Sequence, residues 1–154
     1  MKEKSAFFTG HRQIKEDILK ISDDVFNIIE KLYNENGVKD FYAGGAIGFD
    51  TICAKCVLKL KEKFSDVKLH LILPYLYQDE RFNNAQKSEY NYIKNMADEV
   101  QILSQFYYKN CMLIRNRALI NSAKYCICYL RKSSGGTVYT VSHAIDEGAK
   151  IIKV

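Results

Sequence analysis

Ile14, Ile18, Ile21, Val25, Ile28, Ile29 and Leu32 recur at three- and four-residue intervals, with charged and polar residues between them. That period predicts an amphipathic helix over residues 14–34. The sequence Glu-Asn-Gly ends the pattern, and Gly37 suits a left-handed C-cap. Short apolar runs on either side, residues 5–8 and 38–43, read as strands. The alternation continues. Residues 49–64 are helical by period, residues 67–73 ("VKLHLIL") form a strand closed by Pro74, the chain's single proline, and the polar segment 78–97 holds a further helix. A strand at 100–103, a helix at 109–123, a strand at 125–130 ("YCICYL"), a helix at 138–147 and a strand at 151–154 complete the order.

Strands that alternate with helices, several of them apolar on both sides, imply a mostly parallel sheet with helices on both faces. No linker, repeat or low-complexity tract interrupts the pattern. The expected architecture is one α/β domain over residues 1–154.

Composition narrows the setting. An apolar fraction of 47% with 27% charged residues is that of a soluble globular protein, and no run approaches the length of a membrane span. No basic leader precedes an apolar stretch, so a cytoplasmic protein without a membrane partner is expected. The five cysteines fit a reducing compartment. Cys53 and Cys56 repeat with Val57 and Leu60 at helical spacing, whereas Cys126 and Cys128 alternate along a strand. Both pairs read as inward-facing small hydrophobes rather than a zinc knuckle, so neither a metal nor a cofactor is expected. The net charge of +5 permits anionic ligands without demanding nucleic acid.

In an open parallel sheet, ligands sit beyond the carboxyl ends of the strands. Unusual residues do follow the strands here. The first strand leads into Thr9, Gly10, His11 and Arg12, and the second into Gly44, Gly45, Ala46, Ile47, Gly48, Phe49 and Asp50. Pro74 and Tyr75 follow the third, with Gln78 and Arg81 close behind, and Arg131-Lys132-Ser133-Ser134-Gly135-Gly136-Thr137 follows the fifth. Glycine turns let a backbone approach phosphate, helix N-termini offer free N–H groups, and Thr9, Ser134 and Thr137 add hydroxyls. Strand-to-helix turns also use glycine for purely structural reasons. "GGAIG" lacks the GxGxxG spacing, and no Gly-Lys-Ser/Thr of a Walker loop occurs. His11 reads equally as an acid or base, a ribose contact, or a polar turn residue. Asp50 reads as a helix cap, a sugar contact or a catalytic carboxylate. Tyr75 reads as a ring that stacks on a base or, among eleven tyrosines, as an ordinary structural aromatic. His70 and His143 read as structural or solvated.

"FTGHR", "AGGAIGFD" and "RNRALINSAKYCICYLRKSSGGTVYTV", in that order, resemble the SLOG superfamily, and its YpsA-like branch most of all. The resemblance runs over nearly the whole chain and implies a Rossmann-like fold. The superfamily includes Lonely Guy phosphoribohydrolases, the DNA-processing protein DprA, and sensors of nucleotide-derived signals in antiviral systems. "MLIRNR" followed by "GGT" is similar to the Lonely Guy arrangement, which gives Arg115 the position of the catalytic arginine, with Arg117 beside it. The family's PGGxGTxxE glutamate falls on Thr140, and its leading proline is absent. Threonine supplies no carboxylate for glycosidic cleavage, while the phosphate cradle is retained.

The resemblance and the residues together lead to a first reading: a module that senses or sequesters a small nucleotide-derived ligand of ADP-ribose or cyclic-nucleotide type, in defence or anti-defence signalling, without catalysis. The alternative is a nucleotide N-glycosidase using Asp50, His11 and Arg115; the second alternative is single-stranded DNA binding like that of DprA. The resemblance also implies a homo-oligomer.

Overall fold

The computed structural model describes residues 2–154. Six parallel strands form one sheet: β1 (Ser5–Gly10), β2 (Asp40–Ala43), β3 (Lys68–Leu73), β4 (Glu99–Ile102), β5 (Tyr125–Tyr129) and β6 (Lys150–Lys153), in the spatial order β4-β3-β2-β1-β5-β6. The chain lays down β1 to β4 outward in one direction, then returns to the other side of β1 for β5 and β6. The order therefore reverses between β1 and β5, which pair from Ala6–Tyr125 to Gly10–Tyr129. This is the parallel α/β sheet expected from the alternation, and the Rossmann-like fold that the resemblance implied.

Five helices cover the sheet: α1 (Ile18–Asn36), α2 (Phe49–Lys63), α3 (Asn84–Met96), α4 (Cys111–Ser122) and α5 (Gly136–Asp146). The adjacent aromatics of β1 show how the two faces are built. Successive strand residues point to opposite sides. Phe8 joins Ile21, Val25 and Ile29 of α1 and Val57 and Leu60 of α2 in one core, while Phe7 joins Leu119, Ile120, Val141 and Ala144 of α4 and α5 in the other. Both rings are fully buried, each contributing about 1.5–3 kcal/mol of apolar transfer. The cysteine pairs divide in the same way. Cys53 and Cys56 lie in the first core, Cys126 and Cys128 in the second, all four as buried free thiols.

Helix ends follow local chemistry and move several expected boundaries. α1 begins at Ile18 rather than residue 14, because Asp17 caps it by accepting the N–H of Leu19 at 3.2 Å. Gly37 ends it in the left-handed region (φ 68), its N–H reaching the carbonyls of Leu32 and Tyr33. α3 starts at Asn84 behind a reciprocal capping box. Asn83 accepts the N–H of Gln86 at 2.8 Å, and Gln86 accepts that of Asn83 at 3.0 Å. α5 starts two residues earlier than its apolar period indicates, so Gly136 and Thr137 belong to its first turn. Among the described residues, no helix is long and apolar enough to cross a membrane.

Candidate functional site

The reversal between β1 and β5 opens a crevice of about 540 Å³ at the carboxyl ends of the strands, within the ~300–1,000 Å³ usual for small-ligand sites. Nine of the expected residues line it: Thr9, Gly10, His11, Arg12, Ala46, Asp50, Arg115, Gly136 and Thr137.

Gly10 must be glycine because a Cβ there would stand 2.5 Å from the Phe49 ring. His11 is buried, and its Nε2 accepts the backbone N–H of Arg131 at 2.8 Å. The imidazole is therefore neutral, with its proton on Nδ1. Burial pushes its pKa below the ordinary 6.5, and the nearby charges of Lys132, Arg131 and Lys15 push it further. Its carbonyl accepts the N–H of Phe49 at 3.1 Å, which ties the β1 loop to the start of α2.

The turn after β2 is packed from within. Gly44 lies flush against Arg115, Gly45 against Leu73 and Gln78, and Gly48 (φ 83) against the Arg12 carbonyl, 2.2 Å from where a Cβ would be. Asp50, on the first turn of α2, reaches back to accept the N–H of Ala46 at 3.3 Å. Burial raises its pKa above the usual carboxylate range, against the pull of the Arg115 guanidinium and the Ala46 and Gly44 N–H groups. Arg115 is buried on α4. Its Nη1 donates to the Gly44 carbonyl and its Nε to Asn116 Oδ1 at 2.8 Å, whereas among the described residues Nη2 has only the weak Met112 thioether acceptor at 4.0 Å. Burial lowers the proton affinity of Arg115, and Asp50 opposes that; a guanidinium stays charged at neutral pH regardless.

The second glycine turn differs. A Cβ on Gly135 or Gly136 would meet nothing within 4 Å. The first helical bond of α5, Tyr139 N–H to the Gly135 carbonyl at 3.1 Å, leaves the N–H groups of Gly136, Thr137 and Val138 without an intrahelical acceptor. Thr140 stands fully buried one turn later, accepting from Asn116 Nδ2 at 3.0 Å and donating to the Gly136 carbonyl at 2.9 Å. A polar chain thus links Arg115 through Asn116 to the start of α5. Among the described residues, the Thr9 and Thr137 hydroxyls and the Arg12 guanidinium make no hydrogen bond or ion pair.

Several expected residues lie elsewhere. Arg117 is two positions from Arg115, about 200° around α4, and its Nη2 donates to Tyr139 Oη at 2.9 Å on the outer surface. Ser134 and Gly135 line a separate shallow depression beside Tyr139 and His143. Tyr75 lines a neighbouring cavity, and Pro74 is buried behind it at the end of β3. His70 is held by Asp40 at 2.7 Å, away from the crevice. Lining residues outside the expected set include Lys132, Asn116 and Met112. Asn116 was visible only as the residue between two arginines, and Lys132 as the second residue of "RKSSGGT".

The chain matches the YspA SLOG family over residues 6–151. An uncharacterized SPbeta prophage-derived protein YoqJ of Bacillus subtilis (strain 168) is 34% identical over 83 residues, which is 54% of this chain and 48% of that protein. A UPF0398 protein of Bacillus licheniformis is 24% identical over 146 residues, 88% of this chain and 80% of the relative. Among solved structures, DNA processing protein A from Streptococcus pneumoniae superposes with a TM-score of 0.71 at 20% identity, over 99% of this chain and 50% of that one. The Helicobacter pylori protein of the same name, described for its single-stranded DNA binding mode, gives 0.64 at 14% identity, over 99% of this chain and 65% of that one. The chain thus spans about half the length of the B. subtilis relative and of the pneumococcal protein. At these identities the structural likeness concerns the fold.

Proposed function

The chain belongs to the YspA SLOG family, and from that premise we propose that it binds a small nucleotide-derived ligand, of ADP-ribose or cyclic-nucleotide type, in the β1–β5 crevice without cleaving it. One observation carries this reading. The groups able to move protons are already engaged on the main chain, while the donors suited to phosphate are free. His11 holds the Arg131 N–H, Asp50 holds the Ala46 N–H, and the Thr140 hydroxyl holds the Gly136 carbonyl. Arg12, Thr9, Thr137 and the first N–H groups of α5 have no such duty. A guanidinium, two hydroxyls and a helix N-terminus around one crevice form an anion cradle.

A second reading, single-stranded DNA binding, draws on exposed aromatics at the rim, Tyr77, Phe106 and Tyr107, together with the fold shared with DprA. Isothermal titration with AMP, NAD, ADP-ribose and cyclic nucleotides, followed by chromatography of each mixture, separates the readings. Saturable binding with intact ligand recovered supports the first. Released free base would replace it with N-glycosidic cleavage. Absence of heat with all of them, alongside oligonucleotide binding that weakens steeply with salt, would replace it with the DNA reading.

A further inference from the structure

Beside the crevice lies a second cavity of about 430 Å³, and the two share Arg12, Ala46 and Met112 as a common wall. Its character is different. Tyr75 and Tyr107 meet edge to face, with ring centroids 5.6 Å apart and planes at 80°, and so form an aromatic corner. Tyr75 is buried at 7% exposure, whereas Tyr107 is 64% exposed and offers a bare face. The corner is built in. The Leu76 N–H reaches the Ser104 carbonyl at 3.0 Å, and Ser104 Oγ donates to the Phe106 carbonyl at 2.8 Å, which fixes the segment carrying Tyr107 beside the one carrying Tyr75. Gln78 bolts this wall to the first glycine turn by donating to the Gly44 carbonyl at 3.2 Å.

The charges differ as well. The crevice gathers Arg12, Arg115 and Lys132 around one buried carboxyl, Asp50. The second cavity sets Glu80 and the amide of Gln86 beside Arg81, with Arg12 on the wall it shares with the crevice. An aromatic corner with mixed donors and acceptors around it suits the flat ring and polar edge of a heterocyclic base. Among the described residues, the Arg81 guanidinium has no hydrogen bond or ion pair.

Resting on the reading of the crevice as an anion cradle, we propose that the ligand has two ends and spans both cavities. Its sugar-phosphate end lies in the crevice, its diphosphate passes Arg12 on the shared wall, and its base stacks in the Tyr75–Tyr107 corner. The substrate class is therefore a base–ribose–diphosphate–sugar rather than a mononucleotide, and Tyr107 is a specificity-determining residue. Stacking by a single aromatic alters affinity by about five- to a hundredfold.

Isothermal titration of the full chain and its Tyr107→Ala, Tyr107→Phe and Arg81→Ala variants with ADP-ribose, AMP and ribose 5-phosphate tests this. ADP-ribose is expected to bind wild type at least tenfold tighter than ribose 5-phosphate. Tyr107→Ala is expected to remove most of that advantage, Tyr107→Phe to retain it, and ribose 5-phosphate to bind all variants within about twofold of wild type. Ribose 5-phosphate binding as tightly as ADP-ribose, or an advantage unchanged in Tyr107→Ala, would overturn the two-ended ligand and leave the crevice reading intact. No binding of any of the three would overturn the two-ended ligand, and the crevice reading falls with it where the cyclic nucleotides also give no heat.

Discussion

His11 Nε2 accepts the backbone N–H of Arg131 at 2.8 Å, bridging the loops that leave β1 and β5 on either side of the sheet's switch point. The bond exists only while Nε2 carries no proton, so protonation of His11 unties the two loops. Burial and the charges of Lys132, Arg131 and Lys15 hold the folded pKa below the ordinary 6.5. As pH falls, the unfolded chain takes up its proton first, and the unfolded state gains relative stability. The stabilisation from His11 is therefore complete above about 6.5 and is lost as pH falls through the lower folded value. Thermal unfolding of wild type is expected to show this acid slope. His11→Gln, whose amide oxygen can accept the same N–H without titrating, should flatten it. Identical slopes in the two proteins would remove His11 from this role.

The two glycine turns are expected to separate in mutagenesis. Gly48→Ala puts a Cβ 2.2 Å from the Arg12 carbonyl at a φ of 83, combining a backbone clash with a strained conformation. A loss of about 2–4 kcal/mol in urea unfolding is expected, at the upper end for a single substitution. Gly136→Ala meets nothing within 4 Å. Its stability should stay within about 0.5 kcal/mol of wild type, while the new methyl stands on the crevice wall and weakens ADP-ribose binding. Equal destabilisation by both changes would mean that the second turn is also packing, not cradle.

These turns also show what the sequence could and could not reveal. Both carry paired glycines before a helix, and residue type alone assigned them the same task. Only the packing shows that Gly44, Gly45 and Gly48 accommodate neighbouring side chains and backbone, while Gly135 and Gly136 face open space. The strands were legible to within a residue or two because short runs rich in β-branched and aromatic residues, bounded by turn and helix signals, fix them. The start of α5 was not, because glycine is a poor helix former away from the ends and Gly136 disguises the first turn. The 100° step per helical residue already kept Arg115 and Arg117 off one face, so Arg117 could have been set aside from the sequence. Tyr107 could not have been paired with Tyr75, because their contact joins segments that follow different strands.

Thr140 is fully buried on α5, and its hydroxyl joins Asn116 to the first turn of that helix. Thr140→Val preserves shape while leaving the Asn116 amide N–H without its partner. That change is expected to cost about 1–3 kcal/mol of stability. Asn116 also orients Arg115 through the 2.8 Å bond to Nε, so ADP-ribose affinity should fall in parallel. Titration calorimetry and urea unfolding of the same preparation check both. Lost stability with unchanged affinity would disconnect Arg115 from the ligand.

Arg12 offers the sharpest division between folding and binding. Its side chain is exposed and its guanidinium makes no hydrogen bond or ion pair among the described residues, its charge reaching Asp50 only across space, yet it lines both cavities. Arg12→Ala should therefore leave the unfolding midpoint where it is. A lost charge-assisted hydrogen bond corresponds to about 1.5–3 kcal/mol, or roughly ten- to a hundredfold in affinity for ADP-ribose. Repeating the titration across a salt series separates ligand classes at the same residue. A small diphosphate held by a few fixed donors loses affinity gently as salt rises, whereas a DNA strand releases counterions from many phosphates and loses it steeply. A shallow slope that barely changes in Arg12→Ala fits the small ligand. A steep slope that falls by about one unit in the variant would mean that Arg12 neutralises one phosphate of a polynucleotide.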